Sequence, residues 1–151
     1  MTMHEAFQTG ETLRLFCEEN KITIAEAMIR REEAMGEMTR DEILAEMRRN
    51  LTVMRESVER GLSEKVQSVS GLSGGEAMLL LRYGNDKPFS GVNACRAAAS
   101  AMAVVEVNAS MGRIVAAPTA GASGILPGVL IATAKQRGWS DELLNACGID
   151  R

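Results

Sequence analysis

Two stretches of this chain carry residue types at a spacing suited to holding a small anion. The first is SGLSGGEA, residues 70–77, directly ahead of the apolar run MLLL at residues 78–81. Gly74 and Gly75 allow the backbone to turn with its amides outward. A helix beginning there adds unpaired amides and a positive dipole end at the same point. Ser70 and Ser73 can donate hydroxyl hydrogen bonds, so a carboxylate or phosphate is the ligand this cradle suits. Its candidate binding residues are Ser70, Gly71, Ser73, Gly74, Gly75 and Glu76. A glycine-rich turn with Ser73 as a simple helix cap is the structural alternative.

The second stretch is EVNASMGRIVAAPTAGASGILPG, residues 106–128. Pro118, Gly121, Gly124 and Pro127 together break regular helix, so an irregular crossing of the core between two apolar helices is expected. Such a crossing leaves amides and carbonyls in need of partners. Asn108, Ser110, Thr119 and Ser123 are short polar groups placed to line a pocket, unless they merely bond to their own backbone in a tight connection. Glu76, Glu106 and Lys65 are the available general bases, unranked by spacing, and no catalytic residue is assigned. The single histidine, His4, lies in a polar terminus, which leaves no Ser-His-Asp triad, Cys-His pair or histidine zinc site. SGLSGGEA also shares text with the LSGGQ signature of ABC-type ATPases. The phosphate-cradling GxxxxGK[ST] and a strand ending in a magnesium-binding Asp are both missing, so nucleotide binding is set aside.

The elements that position these stretches read as helices. Apolar residues make up 46% of the 151-residue chain but aromatics only 3%, so the core must be built from Ala, Leu, Met, Val and Ile, which favours helix over strand. Thr23 with Glu26, and Thr39 with Glu42, form capping-box pairs at two helix starts. After Thr39, Ile43, Met47, Leu51, Met54 and Val58 recur on one face, with Gly61 as the expected stop. Arg48, Arg49, Arg55, Glu56 and Glu59 make the solvated opposite face. Residues 11–20 also read as helix. An Ala- and Ser-rich helix over residues 93–107 should be central and closely packed. Another helix follows Pro127, ending at Gly138, and Ser140 caps a last short one. The expected fold is all-α, a bundle-like single domain over residues 1–151, crossed by irregular Gly/Pro loops.

A net charge of −3 with interleaved signs offers no footprint for nucleic acid. No apolar run is long enough for a membrane span and the amino terminus does not read as a signal sequence, so a cytoplasmic protein is expected. Cys17, Cys95 and Cys147 fit neither a disulfide framework nor a metal knuckle, and no metal ligand is assigned.

Three segments resemble the alpha chain of bacterial iron–sulfur-dependent L-serine dehydratases: RNLTVMRESVERGL at residues 49–62, SGLSGGEA, and above all AVVEVNASMGRIVAAPTAGASGILPGVL at residues 103–130. The resemblance extends from about residue 18 to residue 145. It implies a largely helical catalytic domain, a 4Fe–4S cluster in the complete enzyme, a separate beta chain or domain as partner, and conversion of L-serine to pyruvate and ammonia. An iron acting as Lewis acid on the serine hydroxyl would supply the chemistry. SGLSGGEA would hold the substrate carboxylate, and Asn108, Ser110, Pro118, Thr119 and Gly121 would line the cavity. The family's cluster cysteines lie in segments resembling GGCQxE and CDPxxGxxxxPC, which these 151 residues do not contain. The chain by itself is therefore expected to bind no cluster, to be inactive, and to form homo-oligomers through uncovered apolar helix faces. A related lyase for another small amino acid and a non-catalytic helical interaction module built on the Met-bearing helix face are the alternatives.

Overall fold

The computed structural model describes residues 7–140 and Leu144, and every regular element among them is a helix. Six helices follow in order: α1 (Gly10–Asn20), α2 (Ile24–Met35), α3 (Arg40–Ser63), α4 (Glu76–Tyr83), α5 (Val92–Ala109) and α6 (Ala120–Arg137). The all-α expectation holds. Contacts divide the chain into two compact units, Met1–Arg49 with Ser140–Arg151 and Asn50–Trp139, and α3 contributes residues to both. No helix among the described residues is long and apolar enough to cross a membrane. The last short helix expected after Ser140 falls mostly outside the described residues; Leu144 is helical and its amide donates to the Ser140 carbonyl at 3.0 Å.

In the first unit the helix starts follow from local chemistry. Thr9 caps α1 by accepting from the Thr12 amide, and Thr23 caps α2 by accepting from the Glu26 amide at 3.1 Å. At the start of α3 the Glu42 carboxylate accepts from both the amide and the hydroxyl of Thr39, each at 2.8 Å. Lys21 and Gly36 end α1 and α2 in left-handed conformations. Phe7 packs on Phe16, with the Arg31 guanidinium 5.7 Å from its ring centre.

Glu26 joins α2 to the first turn of α3. Its carboxylate accepts from Arg40 at 2.6 Å and from Arg30 at 2.8 Å, and these bonds, Arg40's foremost, hold its pKa down at about 2. A carboxylate depressed in the folded state contributes stability that is complete above its ordinary value of 4.5 and is lost as pH falls through about 2. Resistance to urea should therefore decline between pH 5 and pH 2.5. Arg40→Met should flatten that decline, and an unchanged pH profile in the variant would remove Glu26 as its source.

In the second unit α5 is central, packed by α4 on one side and α6 on another. Small residues set the spacing. A β-carbon on Gly61 of α3 would stand 2.5 Å from the Ala103 carbonyl, and one on Gly128 of α6 would stand 2.5 Å from the Ala101 amide nitrogen. Ala99, Ala103, Val104 and Val107 are buried between these backbones.

Three expectations are corrected. Gly61 does not stop α3, which runs on to Ser63; the glycine is there because α5 lies against it. Met47 is 56% exposed, so the buried part of the α3 stripe centres on Leu51, Ser57 and Val58. Gly121, Gly124 and Pro127 do not belong to an irregular crossing. They lie inside α6, which starts at Ala120, and the irregular connection is confined to residues 110–119. Pro127 removes one helical hydrogen bond. Its ring is fully buried, and the glycines around it bring α6 close enough to α5 for packing to outweigh the lost bond.

Candidate functional site

The chain from α3 to α4 is a compact hydrogen-bonded loop. Ser68 organises it: its amide donates to the Ser73 carbonyl at 2.9 Å, its carbonyl accepts from the Gly71 amide at 2.9 Å, and its hydroxyl accepts from the Ser73 amide at 3.2 Å. Ser68 and Ser70 hydroxyls lie 3.1 Å apart. The Val69 amide reaches the Ala109 carbonyl at 3.0 Å and ties the loop to the end of α5. Gly74 and Gly75 follow at φ +138° and +94°, a region that only glycine enters readily.

The amides at the start of α4 do hold an anion, and it belongs to the protein. Glu106, from α5, is only 8% exposed and accepts from the Gly75 amide at 3.0 Å through one carboxyl oxygen and from the Ala77 amide at 2.9 Å through the other. The helix-cap Gly75 has no side chain to offer, and Ser73 does not take that role; Glu106 caps α4 from a distance of 31 residues along the sequence. Glu76 points back and accepts from the Gly74 amide at 2.7 Å. Hydrogen bonding to its own amide, foremost, and to the Gly74 amide holds the Glu76 carboxyl below the usual carboxylate range. Lys65 lies alongside, its stem 3.4 Å from where a β-carbon on Gly75 would stand. The three general-base candidates that spacing could not rank thus gather at the Gly74–Gly75 turn.

The remaining predicted residues gather at the same end of α5. Asn108 is exposed in its last turn, and Ser110 terminates it, the hydroxyl donating to the Val107 carbonyl at 2.8 Å. Met111 turns the chain through a left-handed conformation, φ +62°. Gly124 packs on Val105 and Gly128 on Ala101, an antiparallel register that carries the start of α6 to the C-terminal end of α5. Pro118, Thr119 and Gly121, all exposed, are therefore brought there as well. Thr119 caps α6 by accepting from the Ala122 amide at 3.1 Å, while the buried Ser123 hydroxyl accepts from the Ala117 amide at 2.9 Å and braces the turn. Ser70, Gly71 and Ser73 are exposed, and Val69, Leu72 and Met111 present apolar side chains beside them.

Sequence reasoning left Glu106 unranked. The available signal was an acid in the apolar helix text AVVEV with no cation three or four residues to either side.

Cys95 is buried against Gly84 with its sulfur 3.2 Å from the Ser90 hydroxyl, Cys17 belongs to the other unit, and Cys147 lies outside the described residues. Among the described residues no three His, Cys, Asp or Glu side chains are grouped as metal ligands.

Comparison with known proteins gives a consistent picture. The chain is 41% identical over 127 residues to the "Probable L-serine dehydratase, alpha chain" of Bacillus subtilis (strain 168), covering 83% of this chain and 42% of that protein. It is 35% identical over 121 residues to the "L-serine dehydratase, alpha chain" of Peptoniphilus asaccharolyticus, covering 80% and 41%. It is 34% identical over 128 residues to the "L-serine dehydratase" of Streptomyces coelicolor, covering 82% and 27%. The chain thus spans less than half the length of these curated relatives. No solved structure matches it significantly. The sequence model described as "Serine dehydratase alpha chain" matches residues 19–148, and the chain belongs to that family.

Proposed function

We propose that this chain forms the substrate-carboxylate side of a cytoplasmic L-serine ammonia-lyase that converts L-serine to pyruvate and ammonia. The observation that carries the reading is the gathering of the SGLSGGEA loop, the end of α5 and the start of α6 in one place, where Ser70, Ser73, Asn108 and Thr119 are exposed and Ser110 is half-buried. In this reading Ser70 and Ser73 donate to the substrate carboxylate, and Gly71, Gly74 and Gly75 keep side chains out of its way. The Gly74 amide is the backbone donor open to exchange, because its present acceptor, Glu76, is exposed. Asn108, Ser110, Pro118, Thr119 and Gly121 form the facing wall. A 4Fe–4S cluster would be supplied by another part of the complete enzyme, together with a beta chain, and activity would require both. Val69, Leu72 and Met111 give those parts apolar surface to cover.

L-serine binding to the 151-residue chain can be followed by amide chemical shifts. L-serine should perturb residues 70–76 and 108–121, and L-serinamide, which lacks the carboxylate, should perturb them far less. Equal responses to the two compounds would contradict a carboxylate site. Pyruvate formation should appear only when the chain is assembled with the cluster-bearing part and the beta chain.

A further inference from the structure

We propose that Glu106 is a positioning residue, the internal anion that staples the start of α4 to α5 and so sets the shape of the substrate loop at residues 67–75. Its consequence for catalysis rests on the function proposed above. Three observations carry it. The Glu106 carboxyl is buried, and both of its oxygens are engaged by amides 29 and 31 residues away. The helix it caps has no side chain of its own to do so. The same loop is tied a second time to the end of α5, through the Val69 amide and the Ala109 carbonyl. The loop therefore has two anchors on one helix, and Glu106 is the charged one.

The acidic and basic groups around the staple divide the work. Glu106 holds the Gly75 and Ala77 amides and is shut away from solvent, so those two donors serve structure. Glu76 holds the Gly74 amide from the exposed side, and Lys65 runs its stem past Gly75. A ligand approaching from solvent meets Ser70, Ser73 and Glu76, in a frame that Glu106 keeps fixed. Glu106→Gln keeps the side chain's size but replaces one acceptor by an NH2 group that faces an amide donor. One bond is lost and a donor is set against a donor.

Two measurements test the staple without any activity. In the unaltered chain, through-hydrogen-bond NMR couplings should connect the Gly75 and Ala77 amide nitrogens to the Glu106 carboxyl carbon; their absence in a folded sample would overturn the proposal. In E106Q, the Gly75 or Ala77 amide should exchange with solvent about 10-fold faster or more, while the Ile131 and Ala134 amides of α6 keep their protection. Unchanged protection at Gly75 and Ala77 would also overturn it. In the assembled enzyme, E106Q should raise the KM for L-serine about 10-fold and leave kcat within about 3-fold, the mark of a displaced binding loop. A fall in kcat at constant KM would reduce Glu106 to a folding role. Failure of the unaltered assembly to dehydrate serine would sink the proposed function and leave the NMR result standing.

Discussion

Gly74→Ala is expected to destroy the substrate loop. A β-carbon at Gly74 would stand 2.0 Å from the Val66 carbonyl oxygen and 2.7 Å from the Gln67 α-carbon, contacts with backbone that no rotamer change relieves. The position also sits at φ +138°, which costs a non-glycine residue further strain. Together these should destabilise the folded chain by about 3 kcal/mol or more, unless the loop detaches to escape the clash. Either way the hydrogen-exchange protection of Ser73, Gly75 and Ala77 should disappear. Gly71→Ala separates the two causes. It shares the left-handed conformation, at φ +74°, but its β-carbon would meet only the flexible Gln67 amide at 3.6 Å. It should lose only about 1 kcal/mol, the backbone strain alone. If the two variants unfold at the same urea concentration, the close approach to Val66 is not what fixes glycine at position 74.

The contrast between these glycines bears on how much of the molecule its sequence discloses. Helix starts were legible because capping is local: Thr23 and Thr39 act on amides three residues away. Helix character was legible in the apolar spacing of α3 and the Ala-rich text of α5. The glycine loop was legible as an anion cradle because Gly74 and Gly75 have few other uses before a helix. Its occupant was not, since Glu106 reaches it across 31 residues of chain. No local pattern encodes such a contact. Pro127 misled for a related reason. Its local effect is to break helix, and the opposing term is burial against α5, which spacing along the sequence does not display. The irregular crossing is accordingly shorter than its text suggested, and Gly121 and Gly124 exchange a turn-forming role for a helical one.

Gly128→Ala is the test of that exchanged role. A β-carbon there would stand 2.5 Å from the amide nitrogen of Ala101, 2.6 Å from its α-carbon and 2.7 Å from its β-carbon. All three belong to the central helix, so α6 can admit the methyl group only by moving away from α5 and loosening the contacts of Ile131 and Ala134, which are buried in the same helix. Overpacking of this kind should cost about 2 to 3 kcal/mol, read as a lower urea midpoint. Gly121→Ala, in the first turn of the same helix, meets nothing within 4 Å. It should be neutral or stabilise by up to about 1 kcal/mol, because alanine restricts the unfolded chain and favours helix. Equal losses in the two variants would mean that α6 dislikes side chains at any glycine and that contact with Ala101 is not the cause. The effect of Gly128→Ala should also reach the candidate site. The start of α6 reaches the C-terminal end of α5 only because α6 runs back along α5 at this spacing, so a helix displaced at Gly128 should shift the amide resonances around Thr119 while those of Gly75 and Ala77, held by Glu106 on α5 itself, stay in place.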